Sequence, residues 1–301
     1  MGICLFLWLK IIMSKNNPLE KAIRSSVKMN ETIGTLFRET GTIQEGKGFV
    51  VTVYKNANRA LPQALKETNV RFAVRDIVSE LKQTLNSNLR SVLNDSIDSG
   101  IEESARQLRF YNIQTNTKNI PKDLSKQVDT ALEVIMAQVD SQASAIQAAL
   151  ITDAVDNTII TGDEDRQGIL RPSDILSVAT FWIAALIWDS FSYWALQNQG
   201  GTRFSKQAIA GLDARTTDCC LRVHGQVQDL KGKFKLTGTP RFSDYLSWSP
   251  FHWYCRTAIT LYLPEYDDGL TKRMKDSARY VLTQRANGKT PDQHPADAFW
   301  S

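Results

Sequence analysis

Residues 70–110 read VRFAVRDIVSELKQTLNSNLRSVLNDSIDSGIEESARQLRF. Val70, Val74, Ile77, Leu81, Leu85, Leu89, Val92, Ile97, Ile101, Ala105 and Leu108 recur at steps of three to five residues, and no proline and a single glycine, Gly100, interrupt them. A repeat close to 3.6 places these side chains along one face of a helix. At 1.5 Å per residue the run predicts a helix of about 40 residues, on the order of 60 Å long. A turn cluster, TNTKNIP (residues 115–121), follows, and then a second stripe at Leu124, Val128, Leu132, Ile135, Val139, Ala143, Ile146 and Leu150. Two matched stripes joined by a short polar loop predict an antiparallel helical hairpin whose shared face is core.

Upstream, Asn17-Pro18 is a polar cap followed by proline at the first helical position, predicting a helix to about Glu39. Residues 47–54, KGFVVTVY, are short, β-branched and aromatic, and read as a strand or as the lead-in to a helix. The first twelve residues form an apolar leader, broken by Lys10, that is too short to span a bilayer and lacks a basic flank or cleavage site. Met13 then opens a polar start, MSKNNPLEKAIR. The expectation is a mis-called leader over 1–12 and a native start at Met13, with a lipid-facing anchor as the alternative.

Downstream, residues 162–172 read as loop, and Ser173 caps a helix from Asp174 to about Asn198 that Gly200-Gly201 ends. Residues 178–196 within it are nearly long enough to cross a membrane, but Asp189 lies in their middle. A carboxylate at that depth costs about 2.5–3.5 kcal/mol on insertion scales. A buried or partner-facing helix is the better reading, and its aromatic part, Phe181 to Trp194, is a candidate interface. No membrane is expected as a partner.

The composition, 42% hydrophobic and 23% charged over 301 residues, excludes a collagen, a disulfide miniprotein and a wholly disordered chain. The net charge of +4 is too small to point to nucleic acid by itself. Four cysteines, two of them adjacent (Cys219, Cys220), do not form a secreted disulfide framework. A reducing cytosol is the default compartment.

Nucleotide, metalloprotease and nucleophile-elbow signatures are missing from the sequence. The chemistry-bearing residues gather instead between Leu212 and Leu263, where three cysteines (Cys219, Cys220, Cys255), two histidines (His224, His252) and several arginines fall within about 50 positions. Thiolate and imidazole are the donors Zn²⁺ favours in tetrahedral sites. His252-x-x-Cys255 places two of them on one tight turn, Cys220 is a third, and Cys219 or His224 could complete four. The plain alternative makes Cys220 and Cys255 small buried hydrophobes and His252 a hydrogen-bonded core residue. Asp213 before Arg215-Thr216 suits a turn that pairs with an arginine, Gly225 suits a tight turn, and residues 258–263 read as a strand. A last helix, 268–284, and a polar tail holding His294 follow.

The order D-x-R-T-x-x-x-C-x-x-x-H-G, a Gly/Lys loop, then P-x-H-x-x-C-R-T resembles the phage Mu F-like head morphogenesis family, the minor head proteins of tailed phages. The matching residues are Asp213, Arg215, Thr216, Cys220, His224, Gly225, Pro250, His252, Cys255 and Arg256. The approach to His252 is less proline-rich than the family's, and Thr257 stands where a second cysteine is frequent. The resemblance covers about 60 residues. It implies a minor capsid protein, associated with the portal and with capsid or scaffold proteins, present in the virion head and in the host cytoplasm during assembly. Contact with packaged double-stranded DNA is a further option, and no catalytic residue is assigned.

The fold class expected is therefore mainly α: a helical domain over 13–165, a small α+β module over 166–265, and a helix with a tail over 266–301. Two other functions compete with assembly. One is a zinc-dependent nuclease or toxin-like hydrolase, with His224 or His252 as base and Asp213 orienting it. The other is a membrane-associated protein using the leader and residues 178–196.

Overall fold

A computed structural model of the protein describes residues 17–41, 48–115, 122–151, 170–213, 215–253 and 255–289. About two thirds of them are helical, and the strands are short and confined to the C-terminal part, so the chain is mainly α with a small α+β module. The helices are α1 (Pro18–Thr40), α2 (Phe49–Ala64), α3 (Val70–Phe110), α4 (Lys122–Ile151), α5 (Pro172–Asn198), α6 (Asp218–Val223) and α7 (Leu270–Ala286). The strands are β1 (Ser205–Ile209), β2 (Val227–Asp229), β3 (Phe234–Lys235), β4 (Tyr245–Leu246) and β5 (Ala258–Tyr262). The expectations for the leader, for a start at Met13 and for the tail around His294 lie outside the described residues.

The described chain divides into two compact units that do not follow sequence order. One is drawn from the described residues of 33–96 and 120–186, the other from those of 1–32, 97–119 and 187–301. In the first unit α3 and α4 pair as expected. Lys82 Nζ meets Asp140 Oδ1 at 2.7 Å and Arg90 meets Asp129 Oδ1 at 2.8 Å, so rising numbers on one helix oppose falling numbers on the other. These exposed pairs add little stability. The seam is held by Leu81, Leu85, Leu89, Leu132, Ile135 and Val139, all buried.

Helix α2 decides the ambiguity of residues 47–54 against a strand. Val50, Val51, Tyr54, Ala57, Leu61 and Ala64 are its buried residues, and they follow a helical repeat that extends well past the β-branched run. Pro62 lies inside the last turn of α2, which runs on to Ala64, and α3 begins only at Val70.

In the other unit, Asn17 caps α1 as expected, its Oδ1 accepting the Leu19 N–H at 2.8 Å. The sheet has the order β2-β1-β5 and is antiparallel throughout. Helical side chains cover the outer edge of β5. Ser26 donates to the Ile259 carbonyl (3.0 Å), Tyr111 donates to the Leu261 carbonyl (3.1 Å), and Gln107 Oε1 accepts the Leu261 N–H (2.8 Å). Gln107 Nε2 in turn donates to Ser26 Oγ and to Glu103 Oε1, and Glu103 Oε2 accepts from Ser25 and Arg106. Burial pushes the Glu103 carboxyl pKa up, against the pull of Gln107, Ser25 and Arg106. An open edge strand exposes unpaired backbone groups. Here Ser26 of α1, Gln107 of α3 and Tyr111 just past the end of α3 satisfy them, which fixes both helices to the sheet.

Helix α5 is the described helix long and apolar enough to cross a membrane, yet 67% of its most apolar stretch is buried within the protein. Ile187, Trp188 and Phe191 are wholly or almost wholly enclosed. Gly100 of α3 packs against this part of α5 so closely that an added Cβ would overlap the Ile187 carbonyl oxygen and Ser190 Oγ. Alanine in an open helix site would gain about 0.5–1 kcal/mol over glycine. Overpacking against a backbone carbonyl costs roughly 1–3 kcal/mol and dominates here. Gly100→Ala should therefore lower the melting temperature, read by circular dichroism, and a rise would contradict the close approach.

Candidate metal centre

Strand β1 delivers the chain to a turn organised by Asp213. Its Oδ1 accepts the Arg215 N–H (2.9 Å) and the Thr216 hydroxyl (3.0 Å), an arrangement aspartate favours in turns. Both carboxylate oxygens also take a guanidinium N–H of Arg256, at 2.7 and 2.8 Å. This fork ties the turn to a segment 43 residues away. Hydrogen bonding from Arg256 is the main reason the Asp213 carboxyl is held down at about 2. Arg215 lends the motif its backbone N–H, while its side chain is exposed.

The six-residue α6 follows and carries Cys219 and Cys220. His224 and Gly225 then reverse the chain. Gly225 has φ +73°, its N–H reaches the Ala208 carbonyl at 2.8 Å, and a Cβ there would press on Met274 and the Thr271 carbonyl of α7. His224 Nδ1 accepts the Ala210 N–H at 2.9 Å. His224 is thus a buried support for the turn, and the structure does not bring it into the thiol cluster.

The second limb, Ser249-Pro250-Phe251-His252, turns so that the Cys255 N–H meets the His252 carbonyl at 3.2 Å, and Phe251 is buried beneath it. The two limbs meet side chain to side chain. Cys220 Sγ lies 3.1 Å from His252 Nε2, 3.7 Å from Cys255 Sγ and 3.9 Å from Cys219 Sγ. The donor atoms of Cys219, Cys220 and His252 all lie within 4.8 Å of one another. Of the two fourth donors considered from the sequence, Cys219 is at hand and His224 is engaged elsewhere. All four residues of the cluster are buried.

The surroundings complete the arrangement. His252 Nδ1 donates to the Trp253 carbonyl at 2.7 Å, which leaves Nε2 directed at the thiols. Thr217 Oγ1 touches Nε2 (2.9 Å) and Cys219 Sγ (3.5 Å), and Ser249 donates to Cys255 Sγ (3.5 Å). Burial alone would raise the Cys255 pKa, but hydrogen bonds from Cys220 and His252 and the His252 charge hold it well below the ordinary thiol range. Burial would lower the His252 pKa, and its contact with Cys255 outweighs that and raises it. The Cys219 pKa falls to about 7, chiefly through its contact with Cys220. Cys220 is pushed up, because it shares its hydrogen bonds with Cys219 and Cys255.

Three sulfurs and one imidazole nitrogen are a donor set of structural zinc sites. Metal–sulfur bonds of about 2.3 Å give tetrahedral sulfur–sulfur edges of about 3.8 Å, close to the two edges Cys220 makes, 3.9 Å to Cys219 and 3.7 Å to Cys255, while Cys255 Sγ stands outside the three donor atoms that all lie within 4.8 Å of one another. A backbone carbonyl on the far nitrogen is also the usual outer partner of a ligating histidine. Cys219, Cys220 and His252 fit the ion as they stand, and Cys255 adjoins them through Cys220. A Cys–His pair also suits a nucleophile, but Cys255 is enclosed by Cys220, His252 and Ser249 and presents no open face to a substrate.

Several supporting residues had no sequence signature. Thr217 and Ser249 flank the cluster, and Arg285 of α7 binds Asp218 Oδ1 and the Asp213 carbonyl. Lys206 is fully buried in β1, donating to the Leu230 (3.0 Å) and Ser247 (2.6 Å) carbonyls, with Nζ 3.2 Å from the Trp248 ring centre. Burial lowers its pKa to about 7, a pull that Asp189 partly offsets. No protein-family model matches the chain, and neither does any curated protein or solved structure.

The Asp213–Arg256 pair sets a direction for pH dependence. The folded-state pKa lies below the ordinary 3.8, so the pair stabilises the fold above about pH 4, and this is lost as pH falls toward 2. Asp213→Asn should be less stable than the parent at pH 6 by urea unfolding, and the gap should narrow between pH 4 and 2. A gap that stays constant over that range would contradict the pairing.

Proposed function

We propose that the chain is a structural protein of phage head assembly, a minor capsid component that associates with the portal, and that its C-terminal module is held together by Zn²⁺ on Cys219, Cys220, His252 and Cys255. The observation that carries this reading is the convergence of the motif. Asp213 is locked to Arg256, and Cys220 to His252 and Cys255, across 43, 32 and 35 residues of chain. Residues spent on each other, the thiols and His252 buried and the Asp213–Arg256 pair partly exposed, serve to keep a shape. The ion would supply cross-linking of the two limbs and no bond-making chemistry.

The hydrolase reading asks more of the same residues. A catalytic zinc keeps an open position for water, with a base beside it. His224 is committed to the Ala210 N–H and Asp213 to Arg256, Arg215 and Thr216. The burial of α5 likewise supports the reading without a membrane partner.

Two measurements test the proposal. Purified protein should carry about one zinc per chain, and a chelator should unfold the C-terminal module, because folding and metal binding are coupled in such sites. Metal-free protein with unchanged stability would remove the zinc. Co-expressed with the portal protein of its own phage, the chain should co-sediment with portal-containing procapsids. Its absence from them would overturn the assembly role, as would metal-dependent DNA or RNA cleavage that His252→Ala abolishes in a folded protein.

A further inference from the structure

We propose that Cys220 and Cys255 are an oxidisable pair, which hydrogen peroxide converts to a disulfide. The bond ties the two limbs of the C-terminal module covalently and takes two donors from the thiol cluster. The reaction rests on the geometry of the thiols alone. Its use, in a particle that leaves a reducing cytosol, rests on the assembly role.

Three thiols allow three pairings, and the structure selects one. Cys219, Cys220 and Cys255 are all free thiols in the buried cluster. Cys220 Sγ lies 3.7 Å from Cys255 Sγ, so the sulfurs must approach by about 1.7 Å to reach the S–S bond length of about 2.0 Å. Side-chain rotation supplies a movement of that size. Cys219 Sγ is nearly as close to Cys220 Sγ, at 3.9 Å, but the two residues are adjacent in the chain. Neighbouring Cα atoms stand about 3.8 Å apart. That is below the range of roughly 4.4–6.8 Å that disulfides favour, so a bond between these neighbours is strained. Cys255 Sγ meets Cys220 Sγ and the Ser249 hydroxyl, and no hydrogen bond joins it to Cys219 among the described residues.

Access sets the order of events. Cys255 is 7% exposed, against 3% for Cys220 and none for Cys219. It is too enclosed for a substrate, but water touches it and peroxide is little larger. The Cys255 thiolate sulfur attacks one peroxide oxygen, the O–O bond breaks, and the departing hydroxide takes up a proton and leaves as water. Cys255 is then a sulfenic acid. The Cys220 sulfur attacks the Cys255 sulfur, the S–S bond forms and the S–O bond breaks. The second hydroxide leaves as water with the Cys220 proton. Two thiols lose two electrons, and one peroxide is reduced to two waters.

The product changes what holds the module together. The bond closes 35 residues of chain and joins the same limbs that the cluster joins. Of the four donors, Cys219 and His252 remain, and two donors do not close a tetrahedral site. The Asp213–Arg256 fork takes no part in the reaction and keeps the limbs aligned while the donors change. A metal-held module depends on its metal for folding. The oxidised module does not.

Stoichiometric hydrogen peroxide on the purified full chain, followed by thiol alkylation and non-reducing tryptic mass spectrometry, tests the proposal. Residues 216–222, which hold Cys219 and Cys220, should be recovered joined to residues 242–256, which hold Cys255. The joined peptides should be two hydrogens lighter than the free pair. The cross-link should persist in Cys219→Ser, shown to be folded by far-UV circular dichroism, and vanish in Cys220→Ser and Cys255→Ser. The oxidised chain should keep its thermal transition in a chelator. A cross-link in protein that carries no zinc would support the pair while removing the zinc of the preceding proposal. No cross-link, a bond between Cys219 and Cys220, a bond that survives in Cys220→Ser, or oxidation to sulfinic acid alone would overturn the proposal. So would an oxidised chain that unfolds in the chelator as the reduced one does.

Discussion

Cys220 stands at the junction on which the C-terminal module depends. Its sulfur is within 3.9 Å of Cys219, His252 and Cys255, and so ties together two limbs between which the chain forms the short strands β2, β3 and β4. A three-stranded sheet whose strands run to five residues at most cannot bury enough apolar surface to order a long intervening loop. Side-chain junctions take over that task. The Asp213–Arg256 fork sits beside the cluster and repeats the connection with charge, and Arg285 brings α7 against the same turn. Clusters that close a long loop remove much of the disorder of the open chain.

A second junction works at the outer edge of β5. Ser26, Gln107 and Tyr111 spend their polar groups on the backbone of β5. A sheet edge left open would invite pairing with another chain, and an apolar helix laid over it would leave the Leu261 N–H and the Ile259 carbonyl unsatisfied. The polar residues of α1 and α3 therefore belong where they are, although in a helix wheel they interrupt the apolar face. Glu103, fully buried, is tolerated because Ser25, Arg106 and Gln107 all donate to it.

The helices were legible in the sequence because their signal is periodic and long. The stripe from Val70 to Leu108 and its partner from Leu124 gave both helices and their antiparallel pairing, and Asn17-Pro18 gave the start of α1. Residues 47–54 were ambiguous because a β-branched octapeptide carries no period of its own. Tyr54, Ala57 and Leu61 settle it as helix. In the C-terminal module, residue type and spacing singled out Cys220, His252 and Cys255, and the tight turn of His252-x-x-Cys255 is present. The choice between Cys219 and His224 rested on which way two neighbouring side chains point, and that follows from the Ala210 N–H claiming His224. Lys206, Gln107 and Thr217 act through single long-range contacts, and such contacts leave no pattern along the chain.

The central claim is that four side chains of the C-terminal module form one closed metal centre that shapes the protein. X-ray absorption spectroscopy of the zinc-loaded full chain tests it at the ligands themselves. The account predicts a first shell of three sulfurs at about 2.3 Å and one nitrogen at about 2.0–2.1 Å, with one sulfur lost in Cys219→Ser. A shell of oxygen and nitrogen alone, or one that Cys219→Ser leaves unchanged, would contradict it.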